Sequence, residues 1–126
     1  MVGMLICIST LGVCQYKTVD ITVGLLKGDS ILWGPTVEKV IAVEFTNSVI
    51  KVNDKKNSVY TVDVSSFVKT SDRNKETCKW RGRDQNGRVL IVKLIAYTVY
   101  PYLIELYIEY PKDYIICYTI TDEENE

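Results

Sequence analysis

Apolar and polar residues alternate with a period of two along most of this chain, and this pattern constrains the fold more than any other feature. In the segment 16–26 one face carries apolar residues and the other polar ones: Val19, Ile21, Val23 and Leu25 against Thr18, Asp20 and Thr22. Because successive side chains of a strand point to opposite faces, the segment is predicted to be a half-buried strand.

The same pattern recurs in short segments that are separated by turns. Two further strands are predicted at Val49–Val52 and Val59–Val64, joined by the polar loop Asn53–Asn57, and the segment Lys69–Lys75 is expected to be a loop. The other predicted elements are a strand at Val37–Phe45, a hairpin over Thr77–Ala96 with its turn at Asp84–Gly87, and a hairpin over Leu103–Ile120 around Pro111–Asp113. Residues 36–44 could form a helical turn, but their β-branched side chains favour a strand.

Together these segments predict one all-β, antiparallel domain. Its 126 residues are enough for a single core, and hairpin-connected strands are typical of a meander. We expect a barrel or a sandwich of about seven or eight strands over residues 15–121, with a small lipocalin-like barrel favoured. Residues 122–126 form an acidic tail.

The inventory of catalytic groups is small. The chain has no histidine, which excludes Ser-His-Asp and Cys-His catalysis and makes the usual zinc hydrolases a poor fit. Glu105 and Glu109 share a strand face but lie more than ~13 Å apart, too far for a glycosidase pair. With no Gly-rich phosphate loop or CxxC pair either, we expect no enzyme activity, no cofactor and no metal.

The first 14 residues, MVGMLICISTLGVC, are almost entirely apolar. One interpretation is the remainder of a secretory signal peptide, although its positively charged region is missing. The alternative is that Met4–Thr10 is the first strand of the domain. The run is shorter than the ~20 residues that a membrane-spanning helix needs. Export to the periplasm or cell surface is expected only under the first interpretation.

The four cysteines divide between the leader and the domain. Cys7 and Cys14 lie in the first 14 residues, which leaves Cys78 and Cys117 in two different predicted hairpins. In an oxidising compartment these two are a candidate disulfide. Alternatively, both are small buried apolar residues, as free cysteines often are.

A basic segment interrupts an otherwise balanced charge distribution. The chain carries 15 Lys and Arg against 16 Asp and Glu, but residues 73–93 hold seven cations and two acids. Alternation places Lys79, Arg81 and Arg83 on one strand face. The segment 73–93, the basic ribbon, could contact phosphate or an acidic partner, or it could be the solvated face of a hairpin.

Tyrosine is concentrated near the C-terminal end. Seven of the nine tyrosines fall between Tyr97 and Tyr118, where cross-strand packing is one explanation and a recognition surface the other. Tyr97, Tyr100 and Tyr102 surround Pro101 in a predicted loop. They are therefore the candidate exposed aromatic contacts.

Several strand and turn segments resemble a family of small exported, β-rich proteins of gut-dwelling Gram-negative bacteria. They are Ile50–Val52, Tyr60–Val62, Trp80–Leu94, Ile104–Tyr110 and Tyr114–Ile120, and Trp33-Gly34-Pro35 is similar to an early tryptophan of the family. The resemblance covers about residues 31–120. It implies a β fold and export, and it carries no activity.

Three functions remain open on these grounds. The first is an exported, non-enzymatic domain that binds a small ligand or a protein partner through a barrel mouth or a tyrosine-rich edge. The second is a structural or assembly subunit of a surface or phage particle, in which Met1–Thr10 adds to a neighbouring subunit's sheet. The third, less favoured because the chain as a whole is slightly acidic, is nucleic-acid binding through the basic ribbon.

Overall fold

The fold is all-β and antiparallel. A computed structural model describes residues 14–46, 48–52, 57–100 and 103–120. It contains nine strands: β1 (Cys14–Lys27), β2 (Ser30–Thr46), β3 (Val49–Val52), β4 (Ser58–Val62), β5 (Val68–Ser71), β6 (Lys75–Asp84), β7 (Val89–Tyr97), β8 (Ile104–Tyr110) and β9 (Tyr114–Ile120). The described residues include no α-helix, only a 3₁₀ turn at Val64–Ser66. The all-β prediction is confirmed.

The strands form one sheet in the order β4-β3-β2-β1-β9-β8-β7-β6-β5. Strands that follow one another in the chain are neighbours, except for β4 and β5, which lie at opposite ends of this order. In addition β1 pairs with β9, so the first and last of the nine strands lie side by side. The predicted antiparallel meander is therefore confirmed, as one sheet of nine strands. The additional strand is β5, an exposed strand whose last three residues belong to the predicted loop Lys69–Lys75, so the loop prediction is wrong there. It has no apolar alternation that could have revealed it.

The second strand is longer than its sequence pattern indicates. It begins at Ser30 and continues through Gly34 and Pro35, which normally interrupt strands. The register with β1 shifts between Thr22 and Gly24, where one β1 residue lies opposite these two β2 residues. The extra residue is accommodated as a β-bulge, so that cross-strand pairing with β1 overrides local propensity.

The sheet curls but does not close into the lipocalin-like barrel that was favoured. β4 and β6 meet over only three residue pairs, Tyr60 to Asp84 through Val62 to Gly82. A Cβ on Gly82 would lie 2.6 Å from the carbonyl oxygen of Thr61, so this close approach requires glycine. On the other side of β3, pairing with β2 covers only Val43 to Thr46. The first part of β2 therefore has no neighbour on that side among the described strands.

Apolar side chains fill the inner face of the curled sheet. Five of them are fully buried in the centre of the core: Leu90, Leu94, Ile104, Leu106 and Ile108. Trp80, Tyr60, Tyr110 and Tyr118 complete the same cluster. Among the described residues, closely packed side chains therefore fill the inner face of the sheet.

Cys78 and Cys117 lie on opposite faces of the sheet. Cys78 belongs to the inner core, whereas Cys117 pairs with Tyr107 on the outer face. Both are free and buried. The structure therefore does not contain the disulfide that the sequence suggested, and the alternative of two buried thiols describes their placement. Burial raises the pKa of both thiols.

Several sequence predictions concern residues outside the described ranges. The candidate leader or first strand up to Val13, the residues Pro101 and Tyr102, and the acidic tail from Asp122 all fall there. None of the helices in the described part of the chain has the length and hydrophobicity to cross a membrane.

Candidate binding surface

The hairpin formed by β1 and β2 carries the longest unpaired strand edge found among the described residues. β1 is paired on both sides, with β2 and with β9. β2 pairs with β3 only from Val43 onward, and no strand of the described part of the chain pairs with the same edge from Ser30 to Ala42. We call these residues the open edge. Its free backbone groups can accept another strand.

The inner side of this hairpin is apolar but incompletely covered. Ile21 packs against the core, and alternation places Val23 and Leu25 on the same face as Ile21. Leu25 pairs with Leu32, and Ile21 pairs with Val37. Leu32 is 59% exposed, and Val23, Leu25 and Val37 are each almost half exposed. The core face of the sheet therefore continues past the core into solvent.

The outer side of the hairpin is apolar as well. Trp33 pairs with Gly24, and Ile31 pairs with Leu26. A Cβ on Gly24 would lie 2.6 Å from Cγ2 of Ile31 and 2.9 Å from Cε3 of Trp33, so both side chains lie over the glycine. Trp33 is still 44% exposed. Large apolar side chains on both faces of an open edge are unusual in a monomer and typical of a recognition surface.

Polar contacts keep the hairpin in place against the rest of the sheet. Across the two strands, the hydroxyl oxygens of Thr22 and Thr36 are hydrogen-bonded at 2.8 Å. Near the tip, the backbone N–H of Leu26 donates to the carbonyl oxygen of Asp113, at 3.0 Å. The open edge is therefore presented by an anchored strand.

A cluster of charged and aromatic side chains supports this anchor from the adjacent turns. Arg88 forms an ion pair with Asp113, and its guanidinium carbon lies 4.5 Å from the centre of the Tyr110 ring. Tyr110 stacks on Tyr114 at 4.8 Å and donates a hydrogen bond to Asp84, at 2.8 Å. The turns β6–β7 and β8–β9 are thereby held together, next to the tip of the hairpin.

The Asp84 carboxylate also organises its own turn. It accepts hydrogen bonds from the backbone N–H groups of Asn86 and Arg88, each at 2.9 Å. Desolvation raises its pKa, but the hydrogen bonds from Arg88, Tyr110 and Asn86 outweigh desolvation and leave the pKa below its ordinary value. The turn predicted at Asp84–Gly87 is therefore confirmed.

The predicted tyrosine contacts lie in different environments. Tyr97 is the last residue of β7, not a loop residue, and its hydroxyl donates to Oε1 of Glu105 at 2.9 Å. Burial, and then the hydrogen bond to Glu105, raise its pKa to about 12. Tyr100 is 85% exposed. Tyr102 lies outside the described residues, and the partly buried Tyr97 and the exposed Tyr100 do not share one environment.

Glu105 joins two tyrosines on the outer face of the sheet. Besides the Tyr97 hydroxyl, its Oε1 accepts a hydrogen bond from Tyr107 at 3.0 Å, and burial raises the pKa of Tyr107. Lys93 Nζ lies 5.8 Å from the centre of the Tyr107 ring. A carboxylate that is satisfied by two hydroxyls is suited to holding the outer surface together.

The basic ribbon lies where alternation predicts. Lys79, Arg81 and Arg83 are exposed, while Cys78, Trp80 and Gly82 are buried. Arg81 and Arg83 line an open groove of about 450 Å³, together with Thr61, Val62, Asp63, Gly82 and Val89. Asp63 lies 4.0 Å from Arg81 and partly neutralises the ribbon, so the groove has little excess positive charge for a polyanion.

The remaining chemistry of the described residues is limited. They contain no group of three or more Asp, Glu, Cys or His side chains that could hold a metal ion. Comparison with protein-family models, with curated proteins and with solved structures found no match.

The open edge is the surface that sequence reasoning missed. The signal was present in Ile31, Leu32 and Trp33, which precede the strand predicted from Val37.

Proposed function

We propose that this chain is a non-enzymatic binding domain that takes an extended segment of a protein partner as an added strand on β2. The observation that carries the proposal is the open edge with large apolar side chains on both of its faces. Added strands gain main-chain hydrogen bonds along such an edge, and alternate side chains of the added segment supply specificity.

A protein partner is favoured over a small ligand by the packing of the domain. The inner face of the sheet is filled by fully buried Leu and Ile side chains, and the 450 Å³ groove is wide open and lies outside the core. A pocket for a small molecule encloses most of its ligand. The exposed apolar side chains of β2 lie on both sides of the open edge, which suits an extended chain that pairs along that edge.

Selection from a library of displayed ten-residue peptides tests this function. Peptides selected on the purified domain should alternate apolar residues and should protect the amide protons of Ser30–Ala42 from hydrogen exchange. Leu32→Lys should weaken their binding at least about tenfold. Val68→Lys is the matched control, because Val68 is similarly exposed, at 55%, but lies on β5, away from the hairpin.

Two results would contradict the proposal. One is a selection that yields no binding peptide. The other is a set of peptides that bind the Leu32→Lys and Val68→Lys variants equally well and leave the exchange of the β2 amides unchanged. Basic-ribbon variants such as Arg81→Ala are expected to bind the selected peptides as the unmodified domain does.

A further inference from the structure

We propose that the segment occupying the open edge is Met1–Val13 of a second copy of this chain. The inference rests on the proposed function, since it names the partner for the added strand. It arises from combining the open edge with the one long apolar segment that lies outside the described residues. The resulting protein assembles with itself by donating its N-terminal segment to a neighbouring sheet.

The lengths of the two segments agree. The open edge runs from Ser30 to Ala42, and the N-terminal segment runs from Met1 to Val13, so each has 13 residues. At a rise of about 3.3 Å per residue both span roughly 43 Å when extended. A donated strand can therefore run the length of the open edge, with one interruption at Pro35, which has no backbone N–H to donate.

The chemistry of the two segments also agrees. Met1–Val13 contains no Asp, Glu, Lys or Arg. As a strand it would present Val2, Met4, Ile6 and Ile8 on one face and Leu5 and Cys7 on the other. A strand with apolar residues on both faces is suited to a position covered on both sides. The open edge offers Leu32 and Val37 on its inner side and Ile31 and Trp33 on its outer side.

The direction of the chain favours a second copy over the same copy. β1 starts at Cys14, opposite Phe45, at the end of the hairpin far from its tip. A segment that led into Cys14 of its own copy could lie along the open edge only with its residue 13 at that end, and thus parallel to β2. To reach that edge from Cys14 the chain would have to cross β2, a distance of two strand spacings of about 4.8 Å each, whereas Val13 and Cys14 are consecutive residues with Cα atoms about 3.8 Å apart. A second copy can approach in the antiparallel direction.

Two variants separate the donor from the acceptor. Ile6→Lys/Ile8→Lys places charges in the donated segment and leaves the open edge unchanged, whereas Leu32→Lys alters the edge and leaves the segment unchanged. Light scattering on the full chain should give an assembly of two or more copies, and each variant should give the monomer mass of 14.4 kDa. The Val68→Lys control should assemble as the unmodified chain does.

Mixing the two variants is the decisive step. The donor of the Leu32→Lys chain and the edge of the Ile6→Lys/Ile8→Lys chain are both intact, so an equimolar mixture should recover a pair of twice the monomer mass. Circular dichroism on each variant before mixing checks that both sheets are folded. A monomeric unmodified chain, or a mixture that stays monomeric while both variants are folded, would overturn the inference.

The same measurements keep this inference apart from the proposed function. If the full chain is monomeric but library peptides bind the open edge, the function stands and this partner is wrong. If the protein isolated from its natural source begins after residue 13, as measured by intact mass, the N-terminal segment is excluded as the partner and the edge must serve another one. If neither peptides nor a second copy bind the edge, both proposals fail.

Discussion

The hairpin beyond Ile21 and the four-stranded region β6–β9 use the same apolar residue types to different effect. In β7 and β8 the inward side chains are almost completely buried, and Leu90, Leu94, Ile104, Leu106 and Ile108 have no exposed surface. In the hairpin, equally large side chains such as Leu25 and Leu32 lie on the continuation of that face and remain about half exposed. The difference is coverage from across the curled sheet, because β1 is paired on both sides, as β7 and β8 are, and Leu25 is still half exposed.

This contrast separates residues that stabilise the fold from residues that are available for binding. A side chain in the middle of β8 is covered from both neighbouring strands and from across the curled sheet, so burial stabilises the fold directly. The hairpin side chains gain little from folding, because much of their surface remains in water. Their burial can contribute to association instead.

The largest expected effect comes from truncating a side chain in each region. Leu106→Ala should lower the free energy of unfolding by about 2–5 kcal/mol, because it leaves a cavity in a fully packed core. Leu32→Ala should change it by less than about 0.5 kcal/mol, as is typical of exposed positions. Urea denaturation of both variants measures the difference. Similar losses in the two would show that the hairpin is part of the core, and would remove the contrast.

Two glycines sharpen the comparison. Gly82→Ala should destabilise the domain by about 1–3 kcal/mol, because its Cβ would meet the backbone oxygen of Thr61 and push β4 from β6. Gly24→Ala meets only the side chains of Ile31 and Trp33, which are exposed and can move outward. We therefore expect a smaller loss at Gly24, together with a change in Trp33 fluorescence.

Thermal unfolding of the two alanine variants tests whether Gly82→Ala loses more stability than Gly24→Ala. A loss at Gly24 as large as that at Gly82 would mean that Ile31 and Trp33 are held rigidly over the hairpin. In that case the outer side of the hairpin would belong to the packed region.

Much of this fold is predictable from the sequence because alternation acts locally. The strands around Ile21, Trp80 and Leu106 have one buried face and one polar face, and this difference is visible in the sequence as alternating apolar and polar residues. Turn chemistry likewise identifies Asp84–Gly87 in advance. The order of strands in a meander then follows from short connections.

The parts that escape prediction depend on long-range pairing. The segment 30–36 is a strand because it pairs with β1. Its own sequence does not predict a strand, since Gly34 and Pro35 normally interrupt one. The sheet does not close into a barrel because only three residue pairs join β4 to β6. The number of such pairs depends on the curvature of the sheet and on strand register, which local sequence does not specify. The open edge could not be predicted for the same reason, although Trp33 and its apolar neighbours were visible.

Hydrogen bonding on the outer face of the packed region gives a smaller effect with a pH dependence. Tyr97→Phe removes the bond to Glu105 and should lower the free energy of unfolding by about 1 kcal/mol at neutral pH. The pKa of Tyr97 in the fold is about 12, against an ordinary 10. Because the folded state keeps this proton more strongly, the contribution is fully present below pH 10 and is lost as the pH rises through 12.

Alkaline denaturation of the unmodified chain and of Tyr97→Phe measures this dependence. The stability difference between the two should shrink between pH 10 and pH 12, and absorbance at 295 nm should report the ionisation of Tyr97 in that range. A difference that stays constant with pH would mean that packing of the ring, not its hydroxyl, accounts for the loss.

The smallest effect is expected at the ion pair between Arg88 and Asp113, which lies beside the tip of the hairpin. Both side chains are about half exposed, and exposed ion pairs contribute little to stability because water and salt screen them. A double-mutant cycle with Arg88→Ala and Asp113→Ala separates this pairing from the packing of Arg88 on Tyr110. We expect the coupling energy between the two side chains to fall with added salt, because salt screens exposed charges. Peptide binding to the open edge should be unchanged, because Leu26 is held by the backbone carbonyl of Asp113 and not by its side chain. If Arg88→Ala and Asp113→Ala also weaken peptide binding, the β8–β9 turn orients the hairpin, and the packed region β6–β9 contributes to binding at the open edge.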